Sequence, residues 1–192
     1  MAIDLSLLVD RCRAGDELAW EAFVRQFQGR IFAIACSYAH TREDGRDLAQ
    51  DIFVRLYEKR RLWPPADVFV PWMIRTARNL AVDHVRRVKA RPVGSDMSED
   101  VLEVLESRDR NPEERWVASS AKDMVWRALR RVTALNREII VLRDIQGLSL
   151  EEVASLLRIP IGTIKSRSNR ARLELARKLV DLGARPESGA RP

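Results

Sequence analysis

Residues 148–179 read LSLEEVASLLRIPIGTIKSRSNRARLELARKL, and this stretch determines what kind of fold the sequence encodes. A capping-box pattern, S-x-x-E, starts at Ser149 and predicts a helix that begins at Leu150. Pro160 ends that helix, because the residue before a proline is disfavoured in helical geometry. Gly162 permits a tight turn, after which a second helix follows. Two helices joined by a short turn form a helix-turn-helix.

The second of these helices carries basic and amide side chains close to its N-terminus. Its apolar residues recur at helical spacing, so Ile164, Ala171 and Leu175 are predicted to face inward. In a helix-turn-helix, the first residues of the second helix contact base edges in the major groove. Arginine pairs there with guanine and asparagine with adenine, whereas other basic and hydroxyl groups contact phosphates. The candidate duplex-binding residues are Thr163, Lys165, Ser166, Arg167, Asn169, Arg170 and Arg172, of which Thr163, Lys165 and Arg172 are expected at phosphates.

The composition supports a helical globular protein with a polyanionic partner. The chain has 192 residues, of which 46% are hydrophobic, and a net charge of +6. Residues 61–92 carry 7 basic and 2 acidic groups, residues 93–115 carry 3 and 8, and residues 116–192 carry 15 and 8. Two basic blocks separated by an acidic one indicate two binding surfaces and a connector. Apart from DNA binding by the second helix, a solvated basic face on an ordinary helix is the alternative interpretation.

We predict an all-α protein, because apolar residues recur at helical spacing and no alternating strand pattern occurs. Helices are expected from about 42 to 60 and, since Pro71 suits a first helical turn, from about 71 to 90. Gly15 and Gly29 are plausible breaks in the N-terminal helical region. The predicted organisation is a helical domain 1–92, a flexible acidic linker 93–112, a helix-turn-helix domain 113–182 and a disordered tail 183–192.

The first basic block joins a proline-rich loop to a helix rich in arginine. Aromatic rings can stack on unpaired bases, and arginines can follow the backbone of a single strand. The same rings at Phe69 and Trp72 are equally suited to a hydrophobic core. The candidate single-strand-binding residues are Trp63, Phe69, Trp72, Arg75, Arg78, Asn79, Arg86 and Arg87.

Cysteine usage and hydropathy indicate the cellular compartment of the protein. Cys12 and Cys36 have no CxxC spacing, and the acidic start MAIDLSLLVD is not a signal peptide. No apolar run reaches the roughly 18 residues that a membrane span needs. We therefore expect a cytoplasmic protein without membrane insertion. Cys36 and His40 could approach one another on a helix, but two ligands are too few for a metal site, and no cofactor is expected.

Three segments resemble, in order, the motifs of the extracytoplasmic-function (group 4) sigma factors of bacterial RNA polymerase. Residues 43–60, EDGRDLAQDIFVRLYEKR, resemble the acidic helix of the family's first domain. Residues 71–87, PWMIRTARNLAVDHVRR, resemble its next conserved segment, and residues 148–172 resemble its C-terminal helix-turn-helix. Gly45 departs from the family pattern inside a helix, where glycine costs about 1 kcal/mol relative to alanine. The loop WPPADVFVP and Asn169 also depart from it.

The resemblance implies a transcription initiation factor and no enzymatic activity. Residues 1–92 would bind core polymerase at the clamp region of the beta-prime subunit and melt the −10 element, with Asp83 added to the single-strand set. Residues 113–182 would read the −35 element and contact the beta flap. Asp47, Gln50 and Asp51 match the clamp-binding helix, and their spacing places them on one helical face. An anti-sigma factor is a further partner that the resemblance implies.

Two other functions remain open at this level. One is a helix-turn-helix transcriptional regulator of another class, although residues 1–92 lack the strand–helix alternation of a receiver domain. The other is a metal-dependent nuclease, because carboxylates on one helical face can hold Mg²⁺. Its candidate ligands would be Glu43, Asp44, Asp47 and Asp51, without a second acidic cluster in support.

Overall fold

The computed structural model describes residues 4–90 and 123–184, and every regular element in these stretches is helical. The predicted all-α class is therefore confirmed for the described residues. The predicted linker, the predicted start of the second domain at 113 and most of the tail lie outside them. The elements are α1 (Leu5–Arg13), α2 (Glu17–Tyr38), α3 (Arg42–Glu58), a 3₁₀ turn (Arg60–Leu62), α4 (Ala66–Ala90), α5 (described over 123–130), α6 (Ala134–Ile140) with a π-helical turn (Val141–Ile145), α7 (Leu150–Leu157) and α8 (Ile161–Asp181).

The chain forms two compact units. The first comprises Met1–Ser95 together with Val141–Ser149, and the second comprises Asp96–Ile140 together with Leu150–Pro192.

The connection between α1 and α2 is a tight turn at glycine. Gly15 has a φ of 90°, a left-handed conformation that favours glycine, and it ends α1 as expected. Asp16 then caps α2 by accepting two backbone N–H groups of the first turn. The expected break at Gly29 is absent, because α2 continues through it. Phe27 and Ile31 are buried on either side, and this burial outweighs the weak helical preference of a single glycine.

Helix α3 begins with a capping box and buries one face. Thr41 Oγ1 accepts the Asp44 N–H, and the Asp44 carboxylate accepts the Thr41 N–H, both at 3.0 Å. Leu48, Ile52 and Leu56 recur at helical spacing on this face and are fully buried. They pack with apolar residues of α2 and α4 in the core of the first unit, which includes Phe23, Ile31, Ile74, Ala77 and Ala81.

Helix α4 starts earlier than the sequence predicts. It begins at Ala66, directly after the Pro64-Pro65 pair, and contains Pro71 in its second turn. The expectation that α4 starts at Pro71 is therefore wrong. Proline removes one backbone donor but has a φ compatible with a helix, and the earlier start buries Phe69 completely.

The second unit has its own small core around α8. Leu129, Val132, Ile140 and Ala171 are buried together, and Trp126 and Leu175 pack against them. This arrangement fixes which face of α8 points inward and leaves the opposite face to the solvent.

The turn between α7 and α8 is built differently from the prediction. Helix α7 runs from Leu150, as expected, to Leu157. Arg158 then adopts a φ of 58°, and the Ile159 N–H donates to the Ala154 carbonyl at 3.1 Å, which is the Schellman arrangement. Gly162 lies inside the first turn of α8 and does not form the turn, contrary to expectation. The chain changes direction earlier, at Arg158, the left-handed residue that follows α7.

Candidate nucleic-acid and partner interfaces

The exposed face of α8 carries most of the predicted duplex-binding residues. Six of the seven are exposed and one, Arg167, is partly buried. Ser166 Oγ donates to the Thr163 carbonyl at 3.0 Å, so this hydroxyl is held along the helix. In the described part of the chain, Lys165 and Arg170 have no acidic partner. The exposed residues are Thr163, Lys165, Ser166, Asn169, Arg170 and Arg172.

A carboxylate on the inner flank of α8 fastens this helix to α6. Glu174 accepts hydrogen bonds from the Thr133 N–H at 2.9 Å, the Thr133 hydroxyl at 3.2 Å and Asn136 Nδ2 at 2.6 Å. Partial burial raises the pKa of Glu174, but the hydrogen bonds from Asn136 and Thr133 outweigh it and hold the pKa below the usual value. Glu174 was not predicted from the sequence, because its partners lie about 40 residues away and leave no local pattern.

Five of the predicted single-strand residues form a row along α4. Their spacing of three or four residues places them on the side opposite the buried Ile74, Ala77 and Ala81. Trp72 is partly buried and the other members of the row are exposed. The row consists of Trp72, Arg75, Asn79, Asp83 and Arg86.

Two basic residues of the predicted set deviate from this row. Arg78 is partly buried on the flank of α4. Arg87 is exposed, but its Nε donates to the Asp83 carbonyl at 3.3 Å. Within the row itself, Arg86 lies 3.8 Å from the Asp83 carboxylate. These contacts leave Arg75 as the row's arginine without an ion pair among the described residues.

Trp63 and Phe69 lie in the core instead of on the surface. Their exposed fractions are 2% and 0%, and their ring centroids are 4.7 Å apart. Phe23 packs against both, and Trp63 Nε1 donates to the Leu56 carbonyl at 3.0 Å. With every ring face covered, neither side chain offers a stacking surface for a base in this structure. Of the two rings that were equally suited to a hydrophobic core, Phe69 lies in the core, whereas Trp72 is only partly buried.

The predicted polymerase-binding residues lie together on the outer face of α3. Asp47, Gln50 and Asp51 are all exposed. Val54 continues this row one turn further and is 49% exposed. Tyr57, one turn beyond Val54, is partly buried. The spacing of Val54 relative to Asp47 and Gln50 was the signal that could have placed it on this face.

The acidic residues of α3 have structural roles or exposed positions. Asp44, a candidate metal ligand, is engaged in the capping box with Thr41. In the two described stretches, no group of three or more histidine, cysteine or acidic side chains is placed to hold a metal ion. Cys12 is buried, which together with the nearby Asp16 raises the pKa of its thiol to about 11. No described helix is both long enough and apolar enough to cross a membrane.

Two models of one protein family match successive parts of the chain. The sigma-70 region 2 family model matches residues 23–91, and the sigma-70 region 4 model matches residues 122–175. The chain is 28% identical to the RNA polymerase sigma-H factor of Pseudomonas aeruginosa over 180 residues, covering 91% of this chain and 93% of the relative. It is 29% identical to the ECF RNA polymerase sigma-E factor of Escherichia coli over 181 residues, covering 92% and 94%.

Solved structures share the fold. CnrH in complex with the cytosolic domain of CnrY superposes with a TM-score of 0.58 at 23% identity, covering 94% of this chain and all of that one. The sigma factor RpoE of Bartonella quintana, in complex with the anti-sigma factor NepR, gives a TM-score of 0.57 at 23% identity, covering 85% and 99%.

The matched regions follow one another in the order of a single family, and the region 2 match covers a part that another class of helix-turn-helix regulator would lack. The chain belongs to the sigma-70 family and, within it, to the extracytoplasmic-function sigma factors. It is an RNA polymerase sigma factor that acts in transcription initiation and is not an enzyme.

Proposed function

We propose that this sigma factor directs core polymerase to promoters by reading the −35 element with α8 and holding the melted −10 strand on α4. The observation that carries the proposal is the solvent-facing row of α8, where Asn169 and Arg170 follow Ser166 at helical spacing. In this proposal the domains are 1–92 and 113–182, with 93–112 as the connector.

Exposure and length support the −35 assignment. Helix α8 has 21 residues and is therefore about 31 Å long, so only its N-terminal half lies within a major groove about 12 Å wide. Asn169 and Arg170 are assigned to base edges. Three other exposed polar residues, Thr163, Lys165 and Arg172, are assigned to phosphates, which position the helix without specifying sequence.

The row on α4 supports the −10 assignment. Trp72 is the aromatic ring that remains available for stacking on an unpaired base. Arg75 and Arg86 lie on the same side and are assigned to the strand's backbone, with Asn79 between them. Trp63 and Phe69 are reassigned as the packing beneath the start of α4, because their rings are buried.

The outer face of α3 is assigned to core polymerase. Asp47, Gln50 and Asp51 would contact the clamp region of the beta-prime subunit, and residues 113–182 would contact the beta flap. Opposite charges across such a contact accelerate association and select the correct partner. The exposure of all three side chains supports this assignment.

An anti-sigma factor is proposed as the partner that holds the chain inactive. CnrH and RpoE, which share its fold, are each seen with a protein partner, and that of RpoE is an anti-sigma factor. Co-purification of the tagged chain from its own cells, before and after stress, tests this point. Recovery of only polymerase subunits under both conditions contradicts it.

Transcription from genomic DNA with purified core polymerase tests the proposal as a whole. Addition of the chain is expected to produce discrete 5′ ends downstream of a shared two-part sequence, with permanganate-reactive thymines in its −10 part. The Arg170→Ala variant is expected to start from a changed set of promoters. Tight duplex binding by the chain alone, without core-dependent transcripts, would identify a different kind of regulator.

A further inference from the structure

Helix α8, which the structure describes in full, exposes a large apolar side chain among its polar candidates for DNA contact. Ile161 is the first residue of the helix, and 46% of its surface is exposed. The other exposed large apolar residues of α8 are Leu173 and Val180, which lie in the C-terminal half. Ile161 is therefore the exposed large apolar residue at the end of α8 that is proposed to enter the DNA.

The packing at the start of α8 does not account for Ile161. Ile159 and Ile164 occupy the two positions whose apolar side chains commonly pack against each other at a helix N-terminus. Ile159 is partly buried and Ile164 is fully buried, whereas Ile161 leaves almost half of its surface in water. Single exposed apolar residues are common on protein surfaces, so the position of Ile161 is what carries the inference.

Ile161 lies where a helix-turn-helix meets base edges. The first residues of the second helix contact bases in the major groove. Helical side chains tilt toward the N-terminus, so Ile161 projects beyond the first turn of α8. The next residue, Gly162, has no side chain, and a methyl group added there would meet nothing within 4 Å. The protein therefore leaves space beside Ile161 for the edge of a base.

An aliphatic side chain in the major groove distinguishes bases by their apolar surface. Thymine is the base that presents a methyl group there, and apolar side chains contact it. Isoleucine has no group that donates or accepts a hydrogen bond. Placed against the polar edge of another base, it would leave donors or acceptors of that edge without a partner, which is costly.

We propose that Ile161 reads a thymine of the −35 element by packing against its 5-methyl group. This inference rests on the proposed function of α8 and adds an apolar contact to the hydrogen bonds assigned to Asn169 and Arg170. Ile161 and Arg170 are nine residues apart, which corresponds to about 14 Å along the helix axis. The thymine is therefore expected at a different base pair from the one that Arg170 contacts.

The test replaces thymidine by deoxyuridine, which lacks the 5-methyl group and keeps every hydrogen-bonding group. The templates carry a −35 element recovered by the genomic transcription experiment, with each thymidine on either strand replaced in turn. The full chain is assembled with core polymerase, and promoter binding is measured by competition. For the wild type, one replacement is expected to weaken binding about fourfold, equivalent to about 0.8 kcal/mol for one buried group of this size.

Three variants are compared on the same templates. Ile161→Ala is expected to bind the thymidine and deoxyuridine templates equally at that position, and Ile161→Val is expected to keep part of the difference. Leu173→Ala is the matched control, because Leu173 is 61% exposed on the same helix but lies in its C-terminal half. It is expected to keep the fourfold difference. Unchanged circular dichroism and melting of the free variants establish that they fold.

Three results would overturn the proposal. The first is a −35 element without thymine, or one in which no replacement weakens binding of the wild type. The second is an Ile161→Ala variant that keeps the fourfold difference. The third is a Leu173→Ala variant that loses it, because the methyl effect would then not belong to the N-terminal end of α8.

Arg170→Ala separates this inference from the proposed function. It is expected to relax the preference at its own −35 position and to keep the methyl effect. If it does so while Ile161→Ala still distinguishes thymidine from deoxyuridine, the contact of Ile161 is wrong and the −35 assignment of α8 stands. If neither variant changes the base dependence of binding, both fail.

Discussion

Arg170 and Lys165 lie five residues apart on the exposed surface of α8. We expect their replacement by alanine to change DNA binding in different ways. Loss of a two-pronged arginine contact to a base should cost about 1–3 kcal/mol and relax the preference at one −35 position. Loss of a phosphate contact by Lys165 should weaken binding to all sequences about equally and reduce the salt slope by about one unit. Binding to single-base variants of the −35 duplex at several salt concentrations measures both effects.

The opposite pattern would reverse the orientation of α8. If Arg170→Ala weakens binding to all duplex variants alike while Lys165→Ala changes the base preference, then the side of α8 that carries Lys165 is the one that faces the major groove of the DNA.

Gly45 departs from the family pattern, and the structure supplies the reason. A Cβ atom at this position would lie 2.6 Å from Cys36 Sγ and 3.3 Å from Cys36 Cα. Helices α2 and α3 therefore approach each other too closely at this point for any side chain on α3. The cost of glycine within a helix is offset by this close packing.

Gly45→Ala is expected to destabilise the first unit by about 1–3 kcal/mol, the usual cost of overpacking. Gly29→Ala is the matched control, because Gly29 also lies within a helix but a methyl group added there would meet nothing within 4 Å. It should stabilise by about 0.5–1 kcal/mol. Urea unfolding measures both. Adding Cys36→Ala should recover part of the loss at Gly45, and equal destabilisation by the two glycine variants would contradict this explanation.

The exposure of single residues could be predicted where helical periodicity determines it. Lys165, Ser166 and Asn169 face the solvent because Ile164 and Ala171 face the core. Trp63 and Phe69 could not be placed in this way. Their burial depends on Phe23, about 40 residues earlier in the chain, and a loop with two prolines has no period that reports it.

At the scale of elements, the contact between α8 and the start of α6 depends on Glu174. The folded pKa of this carboxyl lies below its unfolded value. Its contribution to stability is therefore fully present above the unfolded pKa and is lost as the pH falls through the folded pKa. The ionised carboxylate is the better acceptor for the Thr133 and Asn136 donors.

Glu174→Ala is expected to destabilise the second unit by about 1–3 kcal/mol at pH 7, because donors of Thr133 and Asn136 lose their acceptor. Hydrogen exchange of the α6 amides measures this loss, and Glu174→Gln, which keeps one carbonyl oxygen, should be intermediate. An NMR titration of the Thr133 amide should have a midpoint below the usual pKa of glutamate. A midpoint above it would show that burial outweighs the hydrogen bonds.

The number and order of helices in the described regions were largely predictable, whereas several ends were not. The start of α7 at Leu150 was predictable from a local pattern. The start of α4 at Ala66 was not, because the burial of Phe69 outweighs the usual preference for proline in the first turn. The turn at Arg158 was not predicted, because residues in the left-handed conformation are usually glycine. Gly162 is the glycine nearest to the end of α7, and the sequence therefore favoured it as the turn residue.

At the scale of the whole molecule, we propose that polymerase is the partner that allows both proposed DNA-binding faces to act on one promoter. In this proposal each face alone makes few contacts, and attachment to core raises the effective concentration of the second contact once the first has formed. Loss of core binding should therefore abolish promoter recognition even when both DNA-binding faces are intact.

Asp47→Lys with Asp51→Lys is expected to abolish binding to core polymerase, because like charge opposite a basic partner costs several kcal/mol. Both side chains are exposed, so the helical content should be unchanged. Co-purification with core, compared with circular dichroism of the free variant, measures this. Retention of wild-type binding would remove the α3 face from the polymerase interface.

The central proposal is that α8 binds the −35 duplex and α4 binds the melted −10 strand. Run-off transcription with Arg170→Ala or Trp72→Ala, on templates in which single −35 or −10 bases vary, tests it most directly. We expect Arg170→Ala to change only the −35 preference. We expect Trp72→Ala to lower permanganate reactivity of the −10 thymines while leaving the −35 preference and core binding unchanged. An altered −35 preference with Trp72→Ala, or normal strand opening in that variant, would contradict the assignment of α8 to the duplex and α4 to the single strand.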